Sequence, residues 1–393
     1  MSRIEELIER LCPDGVEYKK LGEVCEIFAG GDLPLEFVKG QKEPSKEFPY
    51  PIYSNGSKEN SLYGFSKSYK VDVDAVTISA RGTIGYHEIR RKKFTPIIRL
   101  ITLYPKDDTL ALKYLRYALD LLSFANRSDN GGIPQLTVPK TKQFLIPVPP
   151  LEVQQEIVRI LDNFTNLCEK LNEELELRKK QYEYYREKLL SFEGEEVEWK
   201  KLGEIGTFVR GNGLQKKDFV SEGVGCIHYG QIFTNYGTYA SKTKTFVTPE
   251  LAKKLRKAQK GDLVIATTSE NVEDVCKAVA WLGEEDIAIS GDAYLYRHQQ
   301  DPKYMSYLFQ SSLIYMYKQK VVTGTKVIRV SGDSMAKFLV PIPPLPEQQR
   351  IVSILDAFDT LINDTKKGLP AEIAALNQQY EYYRDQLLTF KQK

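Results

Sequence analysis

The sequence has few of the side chains that bind metals or form disulfides. Its 393 residues include five cysteines and three histidines, all scattered singly: Cys12, Cys25, Cys168, Cys226 and Cys276, with His87, His228 and His298. No pair of them has the spacing of a zinc site, and the pattern does not suggest a disulfide framework. The sequence therefore predicts a protein of a reducing compartment.

Long apolar runs and a strong net charge are also missing. No stretch approaches the roughly 18 apolar residues that suggest a membrane-spanning helix, and the opening MSRIEELIERL alternates charges. The formal net charge is +2, so the total predicts neither nucleic-acid binding nor its absence. We predict a soluble, cytoplasmic protein with no membrane partner.

Recognisable catalytic motifs are absent as well. The sequence contains no Gly-x4-Gly-Lys-Ser/Thr phosphate loop. FAGGD (28–32) and the VPPL and IPPL strings are only faintly similar to methyltransferase motifs, because the Pro-Pro pairs lack the Asn that would hold the target amino group. PDGVEYK (13–19) contains the residue types of a metal-dependent nuclease, but its acidic residues are too closely spaced to be separate metal ligands. We therefore predict no catalytic residues, no metal site and no cofactor in this chain.

The sequence does contain an internal repeat. EYKKLGE (17–23) returns as EWKKLGE (198–204), and FLIPVPPLEVQQEIVRILDNF (144–164) returns as FLVPIPPLPEQQRIVSILDAF (338–358). QYEYYREKLLSF (181–192) returns as QYEYYRDQLLTF (379–390). The chain is thus two copies of one unit, each a variable segment followed by a recurring helical segment. Two copies that share a framework but differ in their variable segments are expected to perform the same function on two different targets.

Each recurring segment has the pattern of a paired helix. Mostly apolar residues follow alternating steps of four and three from Ile157 to Phe192, with one charged interruption at Arg178, and a similar seam runs from Ile351 to Phe390. This period of 3.5 predicts two long helices that pair as a coiled coil. KKGLPAE shifts the phase in the second copy, and Gly368 and Pro370 predict an interruption near 368–370.

The variable segments predict mixed α/β domains. Short alternating runs such as DAVTISA (74–80), PIIRLITLY (96–104) and DLVIATT (262–268) indicate strands. LALKYLRYALDLLSF (110–124) and YMSYLFQSSLIYMYKQK (304–320) each indicate one helix. The predicted fold class is therefore α+β, with two mixed α/β domains joined by two long helices that form an antiparallel coiled coil with a pseudo-twofold repeat.

Cations and base-reading side chains cluster in both variable segments. Lys and Arg neutralise phosphates, Asn and Gln can bind adenine, and Arg or Lys can bind guanine. For any single cationic run a solvated surface is the simpler explanation, but a run in each copy favours DNA. The DNA-binding candidates are Asn55, Lys58, Arg81, Thr83, Tyr86, Arg90, Arg91, Lys92, Lys93, Lys216, Tyr229, Gln231, Tyr236, Lys242, Lys244, Ser269, Asn271, Lys326 and Arg329.

The repeated phrases, together with ISARGTIGY (78–86) and IHYGQIFTNYG (227–237), resemble the specificity subunit of type I restriction-modification systems. The resemblance covers essentially the whole chain. It implies a target-recognition domain at 1–150, a first coiled-coil helix at 151–194, a second target-recognition domain at 195–344 and a second helix at 345–393. It further implies that each domain reads one half of a split, asymmetric site in double-stranded DNA.

The resemblance also implies partners. Two methyltransferase subunits carrying S-adenosylmethionine would methylate adenine, and restriction subunits using ATP and Mg would translocate and cleave the DNA. This chain would be the non-catalytic reader. Tyr184 and Tyr382 point away from the predicted seam and are candidates for docking the methyltransferase subunits; equally, each could merely cover the neighbouring helical turn.

Two other functions are compatible with parts of the sequence. A coiled-coil scaffold could carry two protein-binding domains, in which case the basic runs and the polar loops should not form one surface. A self-contained methyltransferase or nuclease is the enzymatic alternative, and the missing motifs count against it. The sequence does not identify the DNA half-sites or the length of the spacer between them.

Overall fold

The computed structural model describes residues 3–122, 124, 135–192, 194 and 196–393. They form two compact units. Unit 1 comprises Met1–Leu171 and Ile373–Lys393, and unit 2 comprises Asn172–Glu372. Among the helices described, none has the length and apolarity needed to cross a membrane.

The secondary structure alternates short strands with mostly short helices. The helices are α1 (Arg3–Leu11), α2 (Leu21–Val24), α3 (Leu112–Asp120), α4 (Val138–Thr141), α5 (Leu151–Ser191), α6 (Leu202–Ile205), α7 (Tyr229–Thr234), α8 (Pro249–Ala252), α9 (Pro302–Leu308), α10 (Ser312–Val321), α11 (Gly332–Met335), α12 (Leu345–Asn363) and α13 (Leu369–Leu388).

The strands of unit 1 are β1 (Tyr18–Lys20), β2 (Cys25–Ala29), β3 (Phe37–Lys39), β4 (Tyr50–Tyr53), β5 (Leu62–Ser66), β6 (Ala75–Ile78), β7 (His87–Arg90), β8 (Thr95–Pro96), β9 (Ile101–Pro105) and β10 (Leu145–Pro147). Those of unit 2 are β11 (Trp199–Lys201), β12 (Gly206–Arg210), β13 (Val224–Ile227), β14 (Tyr239–Ala240), β15 (Thr245–Val247), β16 (Lys257–Ala258), β17 (Leu263–Ala266), β18 (Thr268–Ser269), β19 (Ala278–Trp281), β20 (Ile287–Ile289), β21 (Ala293–His298), β22 (Ile328–Arg329) and β23 (Leu339–Pro341).

Unit 1 contains two four-stranded sheets, in the orders β2-β9-β6-β7 and β3-β5-β4-β8, and the pair β1-β10. Val76 and Ile78 alternate along β6 and share a buried cluster with Leu115 and Leu119 of α3. Because side chains two apart on a strand face the same side, this alternation fixes the face on which α3 packs. Leu161 of α5 and Leu388 of α13 complete the same cluster.

Unit 2 repeats this plan with additions. Its sheets have the orders β12-β21-β17-β19-β14 and β15-β13-β20-β16, with the pairs β11-β23 and β18-β22. Leu263 and Ile265 of β17 share a cluster with the helices, whereas Val264 and Ala266 belong to a second cluster on the other face. Both faces of the strand are therefore buried.

The internal repeat is visible in individual contacts. The Tyr114 hydroxyl donates to the Pro147 carbonyl at 3.0 Å, and the Tyr304 hydroxyl donates to the Pro341 carbonyl at 2.9 Å. In both units this bond ties the helix that packs on the sheet to the strand before the Pro-Pro pair. The predicted fold class, with two mixed α/β domains, a repeat and long helices, is confirmed.

The long helices pair within each unit. In unit 1, Phe164 of α5 stacks on Tyr383 of α13 at 5.6 Å between ring centroids, and the Cys168 thiol donates to Asn377 at 3.4 Å, so the two helices run antiparallel. In unit 2, Phe358 of α12 stacks on Tyr185 of α5 at 5.6 Å. The phenylalanine and tyrosine come from equivalent positions of the two copies.

The second long helix is interrupted between Asn363 and Leu369, the first residue of α13. A Cβ atom on Gly368 would lie 2.4 Å from the Thr360 carbonyl oxygen, so the backbone approaches the end of α12 more closely than any other residue would allow. Pro370 follows in the first turn of α13, where a missing N–H costs nothing. The interruption thus falls just before and at the start of the predicted 368–370 stretch.

Two predicted elements differ in the structure. The single helix predicted for 304–320 is two helices, α9 and α10, because Ser311 caps the second one and its hydroxyl accepts the Ile314 N–H at 3.5 Å. The strand predicted for 96–104 begins only at Ile101, since Ile98 and Arg99 have φ angles of 52° and 61°.

Candidate nucleic-acid interface

The two units share a backbone feature where the central sheet strand ends. In unit 1 the Leu136 N–H donates to the Ala80 carbonyl at 3.0 Å, just beyond β6. In unit 2 the Val330 N–H donates to the Thr267 carbonyl at 3.1 Å, just beyond β17. We call these places the β6 end and the β17 end. Gln135 and Arg329 precede the two donors and therefore occupy equivalent positions.

Three polar side chains converge at the β6 end. Arg81 donates from Nε and Nη2 to Gln135 Oε1, at 3.1 and 2.6 Å. Arg99 Nη1 donates to the same oxygen at 3.5 Å. Arg81 was predicted from its sequence, whereas Arg99 and Gln135 were not, because each stands alone in an apolar stretch and becomes part of the site only through the fold.

Asn55 positions the loop beside this group. Its Nδ2 donates to the Ile98 carbonyl at 2.6 Å, and its Oδ1 accepts the Ala80 N–H at 2.7 Å. Both ends of the amide are therefore occupied by main-chain groups. Asn55 belongs to the site by location, and its role there is to hold the chain before Arg99 against the β6 end.

Thr83 and Tyr86 lie in the turn between β6 and β7, and the Lys58 backbone contacts Tyr86. The Thr83 hydroxyl donates to Ser79 Oγ at 3.0 Å, and the Tyr86 hydroxyl donates to Glu88 at 3.0 Å. Burial raises the pKa of Tyr86, which keeps this hydroxyl protonated and able to donate. Lys58 is exposed and opens a short 3-10 helix, Lys58–Ser61.

The fold separates Arg90 from Arg91, Lys92 and Lys93, the three candidates that follow it in the sequence. Arg90 is buried: its guanidinium donates to Ser61 Oγ at 2.7 Å and lies 4.0 Å from the Tyr53 ring centroid. Arg91, Lys92 and Lys93 are exposed at the far end of β7 from the β6 end. Arg91 Nη1 donates to Asp74 at 2.8 Å. These three cations form a patch that is separate from the β6 end, whereas Arg90 contacts residues inside the fold.

Asp74 anchors that separate patch. Its carboxylate accepts the Lys92 backbone N–H at 2.8 Å as well as the Arg91 side chain. The Lys92 hydrogen bond, and then the Arg91 contact, hold the pKa of Asp74 below its ordinary value. The carboxylate thus stays charged and neutralises part of the patch.

The β17 end of unit 2 has its own set of side chains. Ser269 lies opposite Ile328 in the β18-β22 pair, and Arg329, the next residue, is exposed. Arg210 Nε donates to the Gly291 carbonyl at 2.9 Å, with its Nη2 3.9 Å from Asp292. Arg210 was not predicted, since a single arginine at the end of an apolar strand gives no local signal.

Tyr229 and Lys216 lie beside His228, which caps the N-terminal end of α7. The Tyr229 N–H donates to Ser290 Oγ at 2.8 Å. Burial, assisted by the charge of Lys216, lowers the pKa of His228, so its ring is neutral and its Nδ1 accepts the Gly230 N–H at 3.2 Å. Lys216 itself is exposed on a short 3-10 helix, Lys216–Asp218.

Three other candidates in unit 2 have partners inside the fold. Gln231 is buried, and its Oε1 accepts the His228 N–H at 3.0 Å. Tyr236 is buried, and its hydroxyl accepts the Lys244 N–H at 2.8 Å. Asn271 caps the turn at Asp274, to which its Nδ2 donates at 2.8 Å.

The remaining candidates, Lys242, Lys244 and Lys326, are exposed on loops. Within the described part of the chain, no three His, Cys, Asp or Glu side chains are grouped so that they could hold a metal ion. The side chains at the β6 end and the β17 end provide hydrogen-bond donors and positive charge. Such groups suit the binding of a nucleic acid, because its phosphates are negatively charged and its base edges accept hydrogen bonds.

The two tyrosines predicted to point outward from the helices do so. Tyr184 and Tyr382 are 60% and 61% exposed. Each ring meets the edge of the next tyrosine, Tyr185 or Tyr383, at 5.4 Å between centroids. The two copies thus present the same aromatic pair in the same geometry.

A known family model matches this chain twice, once in each copy of the repeat. Residues 13–177 and 194–375 match the family model described as the type I restriction modification DNA specificity domain. The specificity subunit of the type I restriction enzyme EcoR124I/EcoR124II of Escherichia coli is 29% identical over 407 residues, covering 99% of this chain and 97% of the relative. A putative type I restriction enzyme specificity subunit of Haemophilus influenzae is 30% identical over 391 residues, with coverages of 95% and 96%.

Solved structures share the fold. The S subunit of a type I restriction-modification system from M. genitalium aligns with a TM-score of 0.54 at 16% identity, covering 95% of this chain and 96% of that one. A chain from a structure on complex assembly and conformational transition of the type I R-M system aligns with a TM-score of 0.58 at 18% identity, with coverages of 96% and 98%.

Proposed function

The chain belongs to the type I restriction-modification DNA specificity family, and from this premise we propose how it acts. It is the subunit that recognises DNA sequence within a restriction-modification complex, and it is not itself the catalyst. In the proposed mechanism unit 1 reads one half of a split, asymmetric site at the β6 end. Unit 2 reads the other half at the β17 end.

One observation carries this proposal. The backbone bonds from Leu136 to Ala80 and from Val330 to Thr267 build the same frame twice. The equivalent residues next to them are Gln135 in one copy and Arg329 in the other, with Arg81 and Arg99 beside the first and Arg210 beside the second. Gln suits an adenine edge and Arg suits a guanine edge. A common frame with different donors is what two different half-sites require.

The proposed partners follow from the family. Two methyltransferase subunits would bring S-adenosylmethionine and methylate adenine, and restriction subunits would bring ATP and Mg and cleave the DNA. Since such a complex acts on genomic DNA, the proposed location is the cytoplasm. No step of the chemistry needs a residue of this chain, because its part is to hold the correct sequence in register.

The first test is sequencing of genomic adenine methylation in cells that carry this chain with and without its neighbouring methyltransferase gene. We expect a split motif, with two specified parts separated by unspecified bases, that appears only when both proteins are present. Absence of any motif with an active methyltransferase would contradict the proposal and favour the protein-binding scaffold. Methylation or cleavage by the pure chain alone would favour an enzyme.

A second prediction concerns the two reading ends. We expect Arg81→Ala and Arg329→Ala to weaken specific DNA binding by about 1–3 kcal/mol each and to relax the preference at one half-site, because an arginine that contacts a base carries both affinity and selectivity. Binding of the assembled methyltransferase complex to DNA libraries with one randomised half-site would measure this. Lys170→Ala, an exposed cation on α5, is the control.

If Arg81→Ala relaxed both halves equally, or merely changed the salt dependence of binding, its contact would be with phosphate. In that case the assignment of unit 1 to one half-site through the β6 end would be wrong. The same reasoning applies to Arg329 and the β17 end.

A third prediction concerns partner docking. We expect Tyr184→Ala with Tyr382→Ala to weaken assembly with the methyltransferase subunits at least about tenfold, because exposed aromatic side chains are frequent anchors of interfaces. The melting temperature of the free chain should hardly change, since both rings are mostly exposed. Leu177→Ala, which removes an equally exposed apolar side chain of α5, is the control. Unaltered assembly in analytical ultracentrifugation would rule out this docking site.

A further inference from the structure

The two units differ at one edge of the central sheet. In unit 1 the order β2-β9-β6-β7 ends at β7, and among the described residues no strand pairs with its outer edge. In unit 2 the equivalent strand β19 is covered by β14. The strands correspond because Val76 pairs with Ile89 in unit 1 and Leu263 pairs with Ala280 in unit 2.

Unit 2 shows what such an edge accepts. β14 runs parallel to β19, with Tyr239 opposite Ala280. The Ala280 N–H donates to the Thr238 carbonyl at 3.0 Å, and the Leu282 N–H donates to the Ala240 carbonyl at 2.8 Å. The covering segment is held by these main-chain hydrogen bonds, which an extended chain of almost any sequence can form. It is also held by Ser306 and Gln310, whose side chains donate to the Thr238 carbonyl at 2.6 Å and to the Thr238 hydroxyl at 3.2 Å.

One side chain of β14 is recognised specifically. Lys303 Nζ lies 3.8 Å from the centroid of the Tyr239 ring and also forms an ion pair with Asp356 at 2.6 Å. An ammonium group over an aromatic ring is attracted by the negative face of the ring. The lysine is only 21% exposed as a result of this cover.

Unit 1 keeps the receiving lysine, and no aromatic ring of a described residue covers it as Tyr239 covers Lys303. Lys113 occupies the position of Lys303 and forms the corresponding ion pair with Asp162 at 2.5 Å. Tyr117 donates to the same Asp162, as Tyr307 does to Asp356. The Lys113 side chain is 58% exposed. The same ion pair is thus present in both units, but in unit 1 the lysine faces solvent.

A cleft of about 570 Å³ lies beside β7 and Lys113. Its lining is partly apolar, and the residues are Asp74, Ile89, Ala111, Leu112, Lys113 and Val158, with Arg91 and Gln155. All of them belong to unit 1. An aromatic side chain would find apolar wall on one side and the Lys113 ammonium on the other.

We propose that the outer edge of β7 in unit 1 binds an extended segment of a partner protein, parallel to β7, with an aromatic side chain placed over Lys113. The residue that follows the aromatic one is small, as Ala240 is in β14. Arg91 lines the cleft and is followed in the chain by Lys92 and Lys93, so the segment carries no adjacent lysine or arginine. The interaction adds to DNA reading and does not depend on it.

An uncovered strand edge is usually blocked or paired in a native protein, because its free N–H and C=O groups attract other chains. Here the second copy of the same frame has paired it, using residues 228–244 inserted between β13 and β15. In unit 1 only eight residues, 54–61, join β4 to β5, too few to supply both a helix and a strand.

The test uses the segment of unit 2 as a probe. A fluorescein-labelled peptide TNYGTYAS, the sequence of residues 234–241, is titrated into the whole chain and followed by fluorescence anisotropy. We expect saturable binding that is at least tenfold weaker for the peptide carrying Tyr239→Ala. Binding should be at least threefold weaker for the chain carrying Lys113→Ala, whereas Lys170→Ala should bind the peptide as the unaltered chain does.

A second measurement locates the peptide. A photoreactive benzophenone at the position of Tyr239 should cross-link to residues 89–91, 111–113 or 155–158 of unit 1. Cross-links confined to unit 2, no saturable binding, or indifference to both Lys113→Ala and Tyr239→Ala would overturn the proposal. The edge would then be protected by the charges of Arg91, Lys92 and Lys93 and would bind no partner.

Discussion

Shortening Leu161 to alanine is expected to destabilise unit 1 by about 2–5 kcal/mol, the range for truncating a fully buried leucine. Leu161 has no exposed surface and joins α5 to the cluster formed by α3, β6 and α13. Leu355 is the equivalent residue of the second copy and is equally buried in unit 2. Leu355→Ala should therefore weaken unit 2 by a similar amount.

Hydrogen exchange read by mass spectrometry would separate the two effects. Amides of β6 and α3 should exchange faster in Leu161→Ala, and amides of β17 and α9 in Leu355→Ala. Leu167→Ala, on an exposed position of the same helix, should change stability by less than about 0.5 kcal/mol. Equal acceleration in both units from either variant would contradict the assignment of each leucine to one core.

The second large effect is expected at Asp120, the centre of a charged group in unit 1. Asp120 pairs with His87 Nε2 at 3.2 Å and with Arg116 Nη1 at 3.1 Å. The Tyr380 hydroxyl of α13 donates to it at 3.4 Å. Asp120→Asn should cost about 2–4 kcal/mol, since it leaves the mostly buried Arg116 without its counter-charge.

This group also predicts how stability depends on pH. Burial opposes ionisation of Asp120, but the His87 hydrogen bond and the Arg116 charge outweigh it and hold its pKa below the ordinary value of 3.8. A carboxylate with a lowered pKa in the folded state contributes stability above the ordinary value, and this contribution is lost as pH falls through the lowered one. Unit 1 should therefore lose stability below about pH 4, and Asp120→Asn should flatten that loss.

The second copy offers a control. Ser306 and Gln310 of unit 2 stand where Arg116 and Asp120 stand in unit 1, so the equivalent positions are uncharged. Arg116→Ser combined with Asp120→Gln should be more stable than Asp120→Asn alone, because no unpaired charge remains. Urea unfolding at pH 7 and pH 4 would measure both variants. A double variant less stable than the single one would show that the charges themselves are needed.

Much of the fold could be predicted because local sequence patterns determine it. The heptad spacing through Leu161 and Phe164 predicted the paired helices, and Gly368 with Pro370 predicted their interruption. Repeated phrases predicted the two-copy organisation. These features depend on residues within a few turns of each other, which is the range over which periodicity and turn chemistry operate.

The candidate interface was less predictable because the fold assembles it from distant segments. Arg81, Arg99 and Gln135 meet through hydrogen bonds that no local pattern indicates. Conversely, the four consecutive cations at 90–93 looked alike in the sequence. Arg90 is the last residue of β7 and turns inward to Ser61 and Tyr53, whereas the three cations after it lie beyond the strand and are exposed. The strand predicted at 96–104 was too long because Ile98 and Arg99 adopt left-handed backbone angles, rare for such residues and not readable from the sequence.

The division of the chain has a consequence for its synthesis. Unit 2 is one continuous stretch, Asn172–Glu372, whereas unit 1 needs both Met1–Leu171 and Ile373–Lys393. Leu388 is fully buried in the unit 1 core, and the Val16 N–H donates to the Lys391 carbonyl at 2.8 Å. Because chains leave the ribosome from the N-terminal end, unit 1, whose synthesis begins first, waits for residues that are made after unit 2. Unit 2 can therefore be completed before unit 1, in the reverse of the order in which their synthesis begins. Until α13 has been synthesised, the unit 1 core lacks the residues of that helix.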